Sequence, residues 1–146
     1  MDKGNGQLFF EDVNVGDLLP SVSIPITLQR LVIEAGANQD FSSIHHDRDV
    51  ARATGAPDSY MNFFFIMGMF ERLLREWIGL RGEIKKIGPF RMKVFNCADD
   101  VVTFNAEVIQ KREDNEKGDI FLDVWSETHR GQTVSGKAVV TLPEKN

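Results

Sequence analysis

Between residues 21 and 27, SVSIPIT, the apolar residues Val22, Ile24 and Ile26 alternate with polar residues or proline. A period of two predicts a strand, and Pro25, which has no N–H for a ladder, places it at a sheet edge. Thr27 can cap the following helix, LQRLVIEAG, in which Leu28, Leu31, Val32 and Ala35 recur at helical spacing and Gly36 provides a stop. Residues 37–46, ANQDFSSIHH, show neither period and predict a loop. Asp47 then caps a second short helix, RDVARATG, closed by Gly55, and Pro57, Asp58 and Ser59 form a turn. The longest helix is predicted from Tyr60 to Ile78. Its first half is apolar on nearly every side, which predicts burial all round; its second half turns Glu71, Arg72, Arg75 and Glu76 to water.

The remainder reads as strand, in four runs: 83–95, 101–112, 119–130 and 133–143. NEKG at 115–118 and RGQ at 130–132 are predicted hairpin turns. Gly16-Asp17 is the turn of a lead-in, and the polar, Gly-rich residues 1–6 are expected to be mobile. The order is thus strand, small helices, one long buried helix, then an antiparallel run. That is an α+β arrangement in which a curled sheet wraps one long helix. A single sheet of this kind leaves an exposed edge, so dimerisation is expected.

The length of 146 residues fits one domain spanning 1–146. A formal net charge of −5 argues against a nucleic-acid partner, although a local cluster of Lys and Arg could still meet a phosphorylated ligand. Lys85, Lys86, Arg91 and Lys93 are such a cluster, or simply the wet face of a strand. The one cysteine, Cys97, cannot form an internal disulfide. The first residues, MDKGNGQLFFEDV, carry no apolar core of signal-peptide length, and no apolar run approaches the ~20 residues of a membrane span. A cytoplasmic setting without a membrane partner is the expectation.

The chemistry concentrates in DFSSIHHD, residues 40–47, which holds two of the three histidines, two acids and two serines between helices that can hold it still. Asp40 and His45, five residues apart, can turn toward one water. Such a pair suits hydration of an activated alkene: one group takes a proton from the attacking water and the other supplies one to the α-carbon. Backbone N–H groups opening the long helix can receive the enolate charge that develops on a thioester oxygen. The bland alternative is a capping Asp beside a bystander His. A metal site on His45, His46 and Asp47 is disfavoured because adjacent residues rarely converge on one ion, so no metal is expected. A hydrolase using Ser42 or Ser43 lacks a G-x-S-x-G elbow. His129 reads as a surface residue. Met61, Met67, Met69 and Phe63-Phe64-Phe65 read as core or as the lining of an acyl tunnel.

The stretch AGANQDFSSIHHDRDVARATG resembles the MaoC-like, R-specific enoyl-CoA hydratases, whose signature is Asp-x-Asn-Pro-x-His after a helix ending in Ala-Gly. The lead-in FEDVNVGDLLP also resembles that family's opening. The resemblance implies a hotdog fold, with Asp40 on the catalytic Asp and His45 on the catalytic His. Ser42-Ser43 replaces Asn-Pro, and Asn62-Phe63 stands where the family has His-Gly, which assigns Asn62 and Phe63 to substrate binding. The pieces DFSSIHHDRD, IKKIG and DDVVTF are similar to the small MaoC-like subunit of steroid side-chain enoyl-CoA hydratases. This implies a bulky, steroid-like or other polycyclic acyl-CoA, and a homodimer or a hetero-oligomer with a second MaoC-like chain. CoA enters as part of the substrate, and no other cofactor is implied. The alternatives are a hotdog acyl-CoA thioesterase and a non-catalytic acyl-CoA-binding subunit.

Overall fold

The computed structural model describes residues 6–114 and 117–145. Their helices and strands run β1 (Val22–Pro25), α1 (Leu28–Ala37), α2 (Arg48–Ala53), α3 (Phe63–Ile78), β2 (Glu83–Met92), β3 (Val101–Asp114), β4 (Lys117–Thr128) and β5 (Gly131–Pro143). The strands form one antiparallel sheet in the order β1-β3-β4-β5-β2, with α3 packed against it. This is the hotdog arrangement. Residues 1–5, part of the segment expected to be mobile, lie outside the described residues, as do Asn115 and Glu116 of the expected NEKG turn.

Alternation along the strands puts Val102, Phe104, Ala106 and Val108 of β3, Ile120, Leu122 and Val124 of β4, and Val134, Ala138, Val140 and Leu142 of β5 into one core. Into it α3 sends a single stripe: Phe65, Ile66, Met69, Phe70, Leu73, Leu74 and Ile78. Phe70 stacks on Phe90 at 5.0 Å and meets Phe104 edge-on at 5.0 Å. Strand β1 lies at the sheet edge, as Pro25 predicts, but covers only Val22–Pro25 of the expected 21–27.

Four expectations need correction. The long helix starts at Phe63, because Asn62 caps it and Tyr60 is bridged to Cys97 instead. Its first half is not buried all round: one concave sheet covers one stripe, and Phe63 and Phe64 are 45% and 60% exposed. Gly36 does not end α1. The helix runs to Ala37, and the left-handed residue beyond it is Gln39, at φ 56°. Finally, β2 stops at Met92, where Lys93 and Val94 both donate their N–H to the Thr133 carbonyl, and the chain turns away toward the start of α3.

Candidate active site

The end of α1 fixes Asp40. Gln39 donates its N–H to Gly36 O at 3.2 Å and Asp40 donates to Ala35 O at 2.9 Å. With Gln39 left-handed, this is the paired closure of a Schellman motif, so the Asp40 backbone belongs to the helix cap. A 3-10 turn over Ser43–His45 follows, expected as plain loop, and brings the chain back on itself. Asp47 then caps α2 as its sequence predicts, accepting from the N–H groups of Asp49 and Val50. Caps on both sides therefore hold this short loop.

Within it, His45 Nε2 lies 3.1 Å from Asp40 Oδ2. The His45 side chain is 8% exposed, whereas the Asp40 carboxyl reaches solvent. His45 Nδ1 lies 2.7 Å from the Tyr60 carbonyl oxygen. A carbonyl only accepts, so Nδ1 carries a proton and Nε2 is the ring nitrogen that faces Asp40. Tyr60 packs edge-on to the imidazole at 5.4 Å, and Phe95 packs against Tyr60 at 4.4 Å. Burial, followed by the charges of Cys97 and Asp40, pushes the Tyr60 phenol above its ordinary value of 10.0. Burial likewise pushes up the Cys97 thiol, which keeps it protonated and a poor nucleophile.

Asn62 is buried, and its Oδ1 accepts from Phe65 N at 2.8 Å and from Asn38 Nδ2 at 3.4 Å. Its side chain therefore caps α3 and ties that helix to α1. Capping Phe65 leaves the N–H groups of Phe63 and Phe64 with no acceptor among the described residues, at the positive end of a 16-residue helix. The expected tunnel residues divide: Met61, Phe65 and Met69 are core, while Phe63 and Phe64 face outward with Phe41, 73% exposed, and Phe95. Of the basic cluster, Lys85 pairs with Asp119 and Lys93 with Gln132. Among the described residues no side-chain hydrogen bond joins Ser42 or Ser43 to His45. His129 is exposed, as expected. No group of three or more His, Cys, Asp or Glu side chains converges among the described residues. A hollow lined by Arg91, Asp123, Trp125, Ser135 and Lys137 touches neither Asp40 nor His45. Sequence reasoning did not find the Tyr60 carbonyl, since a backbone acceptor leaves no mark on residue type.

No family model matches the chain. Among solved structures, the MaoC-like dehydratase from Rhodospirillum rubrum superposes with a TM-score of 0.82 at 17% identity, covering 95% of this chain and 99% of that one. The (R)-hydratase from A. caviae involved in PHA biosynthesis gives 0.80 at 24% identity, covering 91% and 99%. At these identities the likeness is one of fold. A curated relative is closer in sequence: the 3-oxo-4,17-pregnadiene-20-carboxyl-CoA hydratase beta subunit of Mycobacterium tuberculosis is 38% identical over 94 residues, 64% of this chain and 72% of the relative. The chain belongs to the MaoC-like enoyl-CoA hydratases. A chain of the ChsH1-ChsH2 complex from the same organism agrees, with 31% identity, a TM-score of 0.79, and coverage of 88% of this hydratase and 98% of that chain. No helix among this hydratase's described residues is long and apolar enough to cross a membrane.

Proposed function

We propose that this hydratase adds water to a trans-2-enoyl-CoA to give the 3-hydroxyacyl-CoA, with Asp40 and His45 acting on one water. The observation that supports it most is the His45 ring, anchored through Nδ1 on the Tyr60 carbonyl with Nε2 3.1 Å from Asp40 Oδ2. In the reacting form His45 is neutral and takes the proton through Nε2, while Asp40 enters as the carboxylic acid. His45 takes a proton from water while the water oxygen bonds to the β-carbon. The alkene electron pair moves toward the thioester carbonyl, and the enolate oxygen is received by the free N–H groups of Phe63 and Phe64. One such donor is worth about 2.7–4 kcal/mol in known enzymes. The enolate then collapses as its α-carbon takes a proton from the Asp40 carboxyl, and the proton held on His45 returns to Asp40 across the short gap between them. Water is thereby added across the double bond, and both side chains end as they began. CoA enters as part of the substrate, and side chains and backbone supply the chemistry.

The substrate we infer carries a bulky, polycyclic acyl group. The relative is named for a pregnadiene carboxyl-CoA. The exposed rings of Phe41, Phe63, Phe64 and Phe95, on the segments that carry and flank the pair, would give such a group an apolar seat. We further infer assembly with a second MaoC-like chain, since the relative is a beta subunit and the matching solved chain comes from a two-component complex. The test is to incubate the full chain, alone and with a co-purified second chain, with a trans-2-enoyl-CoA. A 3-hydroxyacyl-CoA product is expected. Free CoA thiol without that product would sink the proposal in favour of a thioesterase. Undiminished hydration by both Asp40→Asn and His45→Ala would make this chain the non-catalytic subunit.

A further inference from the structure

The His45 ring is anchored on a carbonyl, and an ion pair built on a buried carboxylate beside β3 anchors the backbone behind that carbonyl. Residues 59–61 run antiparallel to 96–98. Met61 N–H donates to Asn96 O at 2.9 Å and Ala98 N–H donates to Ser59 O at 2.7 Å, on either side of the Tyr60–Cys97 bridge. That pattern makes Tyr60 and Cys97 a non-hydrogen-bonded pair, so the polar backbone groups of each point away from the other strand. On one side the Tyr60 carbonyl accepts from His45 Nδ1. On the other, the Cys97 N–H donates to Asp100 Oδ2 at 2.7 Å.

Asp100 is 5% exposed and is gripped by Arg130, from the turn between β4 and β5. Nη1 donates to Oδ1 at 3.0 Å and Nη2 to Oδ2. Arg130 Nη2 also donates to Phe95 O at 3.0 Å. The guanidinium therefore holds both the residue that receives Cys97 N–H and the carbonyl two residues before Cys97. Asp99, left-handed at φ 70°, donates its N–H to Ile26 O, and Ile26 returns its own to Asp100 O, tying the same loop to the segment after β1. An arginine fork on a carboxylate fixes direction as well as distance, which a lysine cannot do.

We propose that Arg130 and Asp100 are positioning residues for His45: through Cys97 and the paired Tyr60 backbone they set the carbonyl that fixes which ring nitrogen carries the proton. The inference rests on Asp40 and His45 being the acid–base pair. The charged and titratable groups around this relay include Asp40, Arg48, Asp58, Tyr60, Cys97, Asp99, Asp100, His129 and Arg130, with His129 Nδ1 3.7 Å from Asp100 Oδ1.

The test uses the full chain, labelled with nitrogen-15 histidine, as wild type and as Arg130→Met, Arg130→Lys and Asp100→Asn. His45→Ala identifies the His45 signals, which separates them from those of His129 beside Asp100. Wild-type His45 is expected in the Nδ1–H form. In Arg130→Met and Asp100→Asn its signals should move toward those of exchanging tautomers. With a trans-2-enoyl-CoA, kcat should fall about 10- to 100-fold with KM little changed, the usual loss when a group that orients a functional His is removed. Arg130→Lys should fall between. If Arg130→Met does not fold, Arg130→Lys decides the matter on the same two measurements. Folded variants with lowered melting temperature but a wild-type His45 signal and kcat would overturn the proposal and leave the pair a purely structural clasp. If the wild type shows no hydration, the acid–base reading fails, while the tautomer measurement still tests the link from Arg130 to His45.

Discussion

Asp40 and His45 lie close enough to share one water, and this predicts that their removal is not additive. Acid–base help of this kind is worth about 10²–10⁴ in rate, or roughly 2.7–5.4 kcal/mol. Two groups contributing independently would multiply, so the double variant would lose about 10⁴–10⁸. Two groups 3.1 Å apart, between which the proton taken from water must pass in every turnover, should lose together little more than the worse of them alone. The coupling energy between them should then reach about 2.7 kcal/mol or more. The choice of replacement matters as well. In Asp40→Asn the amide can hold His45 Nε2 but has no proton to pass on, so Asn should be no better than Ala. The assay follows loss of the conjugated enoyl thioester's ultraviolet absorbance in Asp40→Ala, Asp40→Asn, His45→Ala and the Asp40→Ala/His45→Ala double variant. Circular dichroism confirms that each is folded. A double variant whose loss equals the product of the single losses would refute the shared-proton reasoning.

Three further outcomes are expected. Asn62→Ala removes the α3 cap and should lower stability by about 1 kcal/mol, read as a lower urea midpoint, with Asn62→Asp recovering most of it. Gly118→Ala would place its Cβ 1.9 Å from Phe10 Cδ2, so that ring must leave the core. A loss of about 1.5–3 kcal/mol should follow, and it should largely vanish in a Phe10→Ala background. Asp119, 1% exposed, accepts from Lys85, Arg112 and Thr141. Burial alone would push its carboxyl up, but these bonds outweigh it and hold the group below its ordinary 3.8. A depressed carboxyl stabilises the fold above its unfolded value and loses that contribution as pH falls through the folded one. Asp119→Asn should therefore cost about 1–3 kcal/mol near neutrality, and the gap from wild type should close below about pH 3.8 in urea melts.

The periodic parts of this fold were legible because burial on one side writes itself into residue order. Strands β3 to β5 and the caps at Thr27 and Asp47 fall where the pattern puts them, since an apolar alternation and a capping oxygen are both properties of residue type. The nearness of Asp40 to His45 was also readable, as a short loop between two capped helices has little choice but to double back. Other features depend on what the chain meets in space. Phe63 and Phe64 look like core until one asks how many sheets are present to cover them. Gln39 takes the left-handed position that a glycine three residues earlier seemed made for. The Asp100–Arg130 pair spans 30 residues without any spacing signal, and a carbonyl such as that of Tyr60 has no letter of its own.

The two margins of the sheet are not alike. Beside β3, residues 16–19 continue the ladder begun by β1: Gly16 and Leu19 donate to Val108 O and Ala106 O, and Val108 donates back to Asp17 O. That margin is sealed along most of β3, and what remains of it is four residues of β1 ending in a proline. The other margin is β2, ten residues long, paired among the described residues with β5 alone. A sheet with one long open margin has a valence of one. Two such chains can saturate each other by joining there, but a third finds nothing to add to, so pairing through the backbone terminates at two instead of growing into a filament.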